Sequence, residues 1–261
     1  MSRGMHRATS LALMTLLAFA GCSGRPGDAG PARAPLRIAA AADLQRALPD
    51  VLAIYGDRDG PVAPPTFGAS GDLAEQIRGG APFDVFLSAD LTLPKALEGE
   101  GHVEAGSVVP YARGSLVLLV HPDVAAAVGS LADLAKPEIR KVAIANPEVA
   151  PYGKAARAAL EKAGLWEPLQ AKIVPAGSVS QAFLHVEEGN ADAALVSRSL
   201  VAGAKSKAVE VDPALYPPRI QGLGITAKSP NKARAREFVA FLLRGGGRRV
   251  LAGHGFAPPQ P

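Results

Sequence analysis

The spacing of apolar residues along the chain predicts short strands that alternate with helices. Residues 36–42 form a mostly apolar run of strand length, and the apolar positions after Asp43 recur at helical spacing. Residues 142–145 and 172–175 are also runs of strand length that are followed by a predicted helix. Strands that feed helices in this way are typical of an α/β fold, in which strand ends and helix N-termini face the ligand.

Residues 67–90 show this pattern together with candidate chemistry. They read as a Gly- and Ser-rich turn at 67–71, a helix that stops at Gly79-Gly80, and an apolar strand at 85–87. A turn of small residues before a helix leaves backbone N–H groups unpaired at the positive end of the helix dipole, here beside the Ser70 hydroxyl. The turn is therefore a candidate anion site.

Two sequence blocks carry a resemblance to a known family. The first follows the pattern G-A-P-x-D-x-F-x-S-A-D and consists of Gly80, Ala81, Pro82, Asp84, Phe86, Ser88, Ala89 and Asp90. The second is the turn N-P-E-V-A-P-Y-G at 146–153. Over about residues 36–256 the chain resembles the periplasmic molybdate-binding proteins of ABC importers. The resemblance implies an α/β, two-lobed periplasmic-binding-protein-like fold of type II, with mixed sheets flanked by helices and a ligand cleft between the lobes.

The resemblance also implies a division of the chain and a binding site. Residues 36–112 and 218–261 would form lobe 1, and residues 113–217 would form lobe 2. Helix N-termini at Asp43, Ser70, Tyr152 and Val179 would converge on the cleft and hold a tetrahedral oxyanion through neutral donors. The complete expected ligand-binding set is Ala42, Asp43, Ser70, Tyr152, Val179 and Ser197. No cofactor and no cation site are expected.

Three positions depart from the family pattern or have a second interpretation. Asp43 stands where the family usually has serine or asparagine, and a carboxylate would repel a dianion. Either Asp43 caps its own helix, or the protein binds another oxyanion or a small organic acid. Ser197 stands where many relatives have a tyrosine that reaches the ligand, and could be a plain strand-end hydroxyl. Tyr152 could be a surface aromatic of its turn.

The first residues predict export and a lipid anchor. Arg3 and Arg7 precede an uncharged run at 8–20, and Cys22 follows Ala20-Gly21. This order indicates a signal sequence at 1–21 and a bacterial lipoprotein processing site, with Cys22 as the lipidated residue. Residues 22–35 are rich in Gly, Pro and Ala and are predicted to be a flexible tether. Cys22 is the only cysteine, so no disulfide within the chain is expected.

Composition and the absence of catalytic motifs argue against several other classes of protein. The chain has 28 Lys and Arg against 24 Asp and Glu, without a dense basic run that includes aromatic residues, so nucleic acid is not an expected partner. The nucleophile elbow, the H-E-x-x-H motif and the phosphate-binding P-loop are all absent from the sequence. A hydrolase or transferase would need an acid-base pair in the cleft, such as Asp43 with Asp72.

The sequence thus predicts a monomeric, lipid-anchored solute-binding protein of the periplasm or cell envelope, not an enzyme. Molybdate or tungstate would be its ligand and an ABC permease its partner. The alternatives are the same fold with a changed ligand, an enzyme on a similar scaffold, and a binding-protein fold that serves as a surface interaction module.

Overall fold

The computed structural model describes residues 34–56 and 60–259. The predicted signal sequence, Cys22 and nearly all of the predicted tether lie outside these residues. The strands are β1 (Ile38–Ala41), β2 (Thr66–Gly68), β3 (Val85–Ser88), β4 (Val109–Gly114), β5 (Leu116–Val120), β6 (Val142–Ala145), β7 (Ile173–Ala176), β8 (Ala193–Ser197), β9 (Lys207–Glu210) and β10 (Arg219–Ile225). The helices are α1 (Ala47–Tyr55), α2 (Ser70–Arg78), α3 (Thr92–Gly99), α4 (Pro151–Lys162), α5 (Trp166–Leu169), α6 (Val179–Glu187), α7 (Lys232–Arg244) and α8 (Gly246–Gly253).

The strands form two mixed sheets with the same plan. The first sheet has the order β2-β1-β3-β10-β4 and the second has the order β7-β6-β8-β5-β9. In each sheet three neighbouring strands are parallel, and the next strand, β10 or β5, runs antiparallel to them. The fold is therefore the predicted two-lobed α/β arrangement, in which the parallel strands of both lobes end in turns that lead to helices.

Each sheet is covered by helices, which explains why its central strands are continuous apolar runs. In the first lobe, α1, α7 and α8 contribute buried side chains to one core cluster, and α2 contributes to another. In the second lobe, β5, β6 and β8 are buried along their whole length and share a core with α4 and α6. Among the residues described, no helix combines the length and the apolar character that a membrane crossing requires.

The chain passes between the sheets twice. Only Ser115 separates β4 of the first sheet from β5 of the second, and the return path joins β9 to β10. The predicted lobe boundaries, at 112/113 and 217/218, lie near these crossings and remain a prediction.

Asp84 of the first sequence block stabilises the fold rather than a ligand. Its carboxylate is buried and accepts hydrogen bonds from the Arg37 N–H at 2.8 Å, the Ser229 hydroxyl at 2.5 Å and the Asn231 amide at 3.2 Å. These bonds join the start of β3 to the segment before β1 and to the segment before α7. A buried carboxylate needs several donors of this kind.

One local prediction in the first lobe is wrong. The sequence predicts a turn at residues 67–71, but Thr66–Gly68 forms β2 and pairs in parallel with β1. The small residues allow both conformations, and the free edge of β1 supplies the hydrogen bonds that select the strand.

Candidate functional site

A small cavity lies at the N-termini of α2, α4 and α6, where the ends of strands from both lobes meet. Five of the six residues predicted for the binding site line it: Ala42, Asp43, Ser70, Tyr152 and Val179. Ala42, Asp43 and Ser70 come from the first lobe, and Tyr152 and Val179 come from the second. The remaining predicted residue, Ser197, does not line the cavity but lies behind Tyr152.

The cavity is too small for an oxyanion. Its volume is about 10 Å³, close to the space that one water molecule needs. The two rims meet where the Gly71 N–H at the start of α2 donates to the Val149 carbonyl of the other lobe at 2.9 Å. A tetrahedral oxyanion is larger than water, so its entry requires the two rims to separate.

Three helices, α2, α4 and α6, begin at this space. The residues before α2 and α4 are Ala69 and Ala150, whose side chains cannot cap the first N–H groups. Helix α6 is preceded by Ser178, whose hydroxyl accepts from the Gln181 N–H at 3.2 Å. The N–H of Val179, the first residue of α6, is not the one that Ser178 caps. The positive ends of three helix dipoles favour an anion here.

The Ser70 hydroxyl adds a side-chain donor to the wall. Its oxygen accepts a hydrogen bond from the Ala89 N–H at 3.0 Å, and the residue is buried. Because a hydroxyl both accepts and donates, the Ser70 proton remains able to bond an anion in the cavity.

Asp43 is not a helix cap. It lies in a 3-10 turn, Ala42–Leu44, and α1 begins only at Ala47, so its carboxylate bonds no capping N–H group. Instead, Oδ2 accepts from Nε2 of Gln221 on β10 at 2.5 Å, and the residue is 0% exposed. The interpretation of Asp43 as a cap is therefore wrong, because a long-range amide donor holds the carboxylate in the cavity wall.

The second carboxylate oxygen of Asp43 is unusual. Among the described residues, Oδ1 is buried and has no hydrogen-bond partner. Burial raises the pKa of Asp43 from 3.8 to about 6, although the Gln221 bond, the nearby Tyr152 hydroxyl and the charge of Arg219 lower it. The Asp43 carboxyl group therefore changes its charge near pH 6.

Tyr152 is a core residue of the site and not a surface aromatic. It is 1% exposed, and its hydroxyl oxygen accepts from Ser197 Oγ at 2.9 Å and from Gln221 Nε2 at 3.4 Å. Burial, and then the Asp43 carboxylate, hold the pKa of Tyr152 well above its usual value, so the phenol keeps its proton. The Arg219 guanidinium carbon lies 5.6 Å from the ring centroid.

Several residues of this network were missed by the sequence analysis. Tyr111 donates to Gln221 Oε1 at 2.6 Å, and the Ser199 hydroxyl donates to the Asp43 carbonyl at 2.6 Å and contacts Ser197 Oγ at 2.8 Å. The sequence feature that could have revealed this network is Gln221, an uncharged polar residue within the apolar run of β10. A buried amide in such a strand requires partners.

The structure does not place Asp43 and Asp72, the candidate acid-base pair, together in the cavity wall. Asp72 lies outside the cavity wall, whereas Asp43 is buried in it. Within residues 34–56 and 60–259, no cluster of three or more His, Cys, Asp or Glu side chains could hold a metal ion.

Two lobes that meet over a cavity built from helix N-termini define a solute-binding protein. The chain belongs to the family of bacterial extracellular solute-binding proteins, which matches residues 36–257. The molybdate-binding protein ModA of Rhodobacter capsulatus is 34% identical over 250 residues, which span 95% of this chain and 94% of that protein. These relationships place the chain among binding proteins rather than enzymes.

Two further proteins support this placement. YvgL of Bacillus subtilis strain 168, named a putative ABC transporter substrate-binding lipoprotein, is 32% identical over 94% of this chain and 95% of its own length. The solved periplasmic molybdate-binding protein of Azotobacter vinelandii has a TM-score of 0.80 and 31% identity, and the match covers 86% of this chain and 100% of that one.

Gly114, at the end of β4, gives the Tyr152 hydroxyl its space. A Cβ at this position would overlap the hydroxyl oxygen and lie 2.9 Å from Gln221 Nε2. We expect Gly114→Ala to lower the free energy of unfolding by roughly 1–3 kcal/mol through overpacking, as measured by urea denaturation. Adding Tyr152→Phe, which removes the overlapping oxygen, should recover part of the loss.

Gly99→Ala is the control for this substitution. Gly99 ends α3, and a Cβ added there would meet no atom within 4 Å. The substitution should leave stability unchanged or raise it by up to about 1 kcal/mol. Equal losses for the two glycines would contradict the proposed contact at Gly114.

Proposed function

We propose that this protein captures molybdate or tungstate outside the cytoplasm and delivers it to an ABC permease. The observation that carries the proposal is a cavity wall of neutral donors at three helix N-termini, with neither lysine nor arginine among its described residues. Neutral donors of this kind can bind a dianion without a positively charged side chain paired to it. The names of the relatives from Rhodobacter and Azotobacter favour molybdate among the possible oxyanions.

Within this proposal, the ligand-binding residues are those expected from the sequence, with one difference in role. Ser70 donates its hydroxyl, and Tyr152 and Val179 donate backbone N–H groups, while Ala42 and Asp43 close the opposite wall. Ser197 acts on the ligand only through the Tyr152 hydroxyl. Oxygen count and bond length select the anion, because each donor must meet an oxygen at about 2.7–3.1 Å.

The contact between the rims supplies the signal to a permease. Gly71 and Val149 belong to different lobes and are joined by a backbone hydrogen bond. A ligand that bonds both lobes stabilises the closed arrangement relative to the open one, and a permease that recognises the closed arrangement then responds to loading.

A second candidate is the same fold with a changed ligand, either another oxyanion or a small organic acid. The observation that favours it is the Asp43 carboxylate in the cavity wall, where a negative charge opposes a dianion. A ligand with a proton or an amine to donate would accept that carboxylate as a partner.

Thermal unfolding with molybdate, tungstate, sulfate and phosphate, each at millimolar concentration, tests both candidates. A ligand at about 1,000 times its Kd adds about 4 kcal/mol and raises Tm by several degrees. We expect a shift with molybdate and tungstate and none with sulfate. No shift with any of the four anions would contradict the oxyanion proposal and favour a different ligand or a surface interaction module.

Val179→Pro is the sharpest variant for this experiment. Proline is tolerated at the first position of a helix, and Ser178 before it is extended (φ −152, ψ 168), as proline requires of its predecessor. The variant therefore removes one N–H donor and keeps α6. We expect it to lose most of the molybdate shift, whereas the matched variant Val179→Ala, which keeps the N–H, should retain it.

We further propose that the mature protein is a monomer anchored by a lipid on Cys22 and exposed in the periplasm or cell envelope. The support is the sequence A-G-C after an uncharged run, together with the lipoprotein name of the Bacillus relative. Mass spectrometry of the N-terminal peptide from bacterial membranes should find a diacylglyceryl group on Cys22. An unmodified Cys22, or cleavage at another residue, would contradict the anchor.

A further inference from the structure

We propose that the cavity takes up its anion together with one proton, which joins the Asp43 carboxyl to an oxygen of the anion. This inference rests on the proposed function, since it concerns how the same site accepts a dianion. Asp43 is then a specificity-determining residue, because it offers the anion a carboxyl group that can bind a proton. A helix N-terminus offers only N–H donors.

The geometry leaves one oxygen of Asp43 for this role. Oδ2 is held by Gln221 Nε2 at 2.5 Å, and Tyr111 fixes that amide by donating to its Oε1 at 2.6 Å. The backbone carbonyl of Asp43 is held by Ser199 at 2.6 Å. Oδ1 has no hydrogen-bond partner among the described residues, although Asp43 lines the cavity. A fully buried carboxylate oxygen without a donor is costly unless a proton or a ligand satisfies it.

The Gln221 and Tyr152 side chains and the charge of Arg219 favour the ionised form of Asp43, but among the described residues none of these groups forms an ion pair with it. On β10, Arg219 donates to the Ala89 carbonyl at 2.9 Å and lies over the Tyr152 ring, and it forms no ion pair with Asp43 in the described part of the chain. From β4 and α4, Tyr111 and Tyr152 face the carboxyl as neutral phenols whose pKa values burial holds well above the usual value.

The neighbouring turns and helices add no counter-charge either. In the turn after β8, Arg198 pairs with Glu210. Arg46, which follows the turn of Asp43, donates to the Ala202 carbonyl and lies over the Phe183 ring of α6 at 5.0 Å. Asp72 in the first turn of α2 carries a negative charge and lies outside the cavity wall. Asp43 is therefore a buried acid with hydrogen bonds but, among the residues described, no paired cation.

A dianion beside this group changes its protonation. The ionised carboxylate would repel the anion, whereas the neutral carboxyl removes that repulsion and offers an O–H donor. Burial raises the pKa of Asp43 to about 6 even though the Gln221 and Tyr152 hydrogen bonds and the charge of Arg219 lower it, and a neighbouring negative charge raises it further. Above that pH, binding molybdate draws one proton from the solvent onto Oδ1, and release of molybdate returns it.

The affinity for the dianion should fall as the pH rises, because binding takes up a proton. Below about pH 6 the Asp43 carboxyl of the free protein is already neutral, so the affinity for the dianion does not change with pH. Above it, each pH unit should weaken binding about tenfold, because one proton must be taken up. An anion that carries its own proton, such as hydrogen phosphate, would bring the proton with it and bind without uptake from the buffer.

Titration calorimetry of the whole protein with molybdate near pH 7.5 tests the proposal. In buffers with different ionisation enthalpies, the observed heat should vary with a slope that corresponds to about one proton taken up. The Kd should rise about tenfold per unit between about pH 6.5 and pH 8.5. If the wild type bound molybdate without proton uptake and with a Kd independent of pH, the proton proposal would be wrong and the proposed function would stand. If it bound no molybdate at any pH, the proposed function itself would be wrong.

Asp43→Asn is the decisive variant, because its amide is neutral at every pH and can still donate one N–H. We expect it to bind molybdate without proton uptake and with a Kd that no longer depends on pH. Asp72→Asn, which removes a carboxylate near the start of α2 but outside the cavity wall, should behave as the wild type. If folded Asp43→Asn kept the full proton uptake, or lost molybdate binding altogether, the assignment of the proton to Asp43 would be wrong.

Discussion

The site depends on one buried set of hydrogen bonds that joins the two lobes beneath the cavity. Gln221 lies at its centre, held by Tyr111 and bonded to Asp43 at 2.5 Å and to the Tyr152 hydroxyl at 3.4 Å. Tyr152 belongs to the second lobe, so each lobe fixes a side chain of the other. Buried polar groups in such a network stabilise one arrangement strongly, since any shift leaves a donor or acceptor unpaired.

The fold explains why this network and the cavity coincide. In both sheets the parallel strands end at the same edge, and their following helices begin there. Three helix N-termini thus meet in the space over Gln221, and Gly114 at the crossing between the sheets leaves room for the Tyr152 hydroxyl. Neutral donors and a buried acid are consequently neighbours, which is the arrangement that distinguishes this cavity from one built only of N–H groups.

Local patterns predict much of the structure but not the partners of Asp43. The strand Val142–Ala145 and the start of α6 at Val179 agree with the local sequence pattern. A cap is the natural expectation for Asp43, because capping is the strongest local use of an aspartate. Its true partner, Gln221, is 178 residues away in the chain. Tyr152 is likewise expected at a helix start and lies there, whereas its bond to Ser197 depends on the packing of α4 against β8.

The most direct measurement is the location of molybdenum in crystals grown with molybdate, by anomalous diffraction at the molybdenum absorption edge. The account predicts a single strong peak in the cavity, with oxyanion oxygens in hydrogen-bond contact with the Val179 N–H, the Ser70 hydroxyl and the Asp43 carboxyl. A peak on the protein surface, or a cavity that remains closed and without metal when molybdate saturates the crystals, would contradict it.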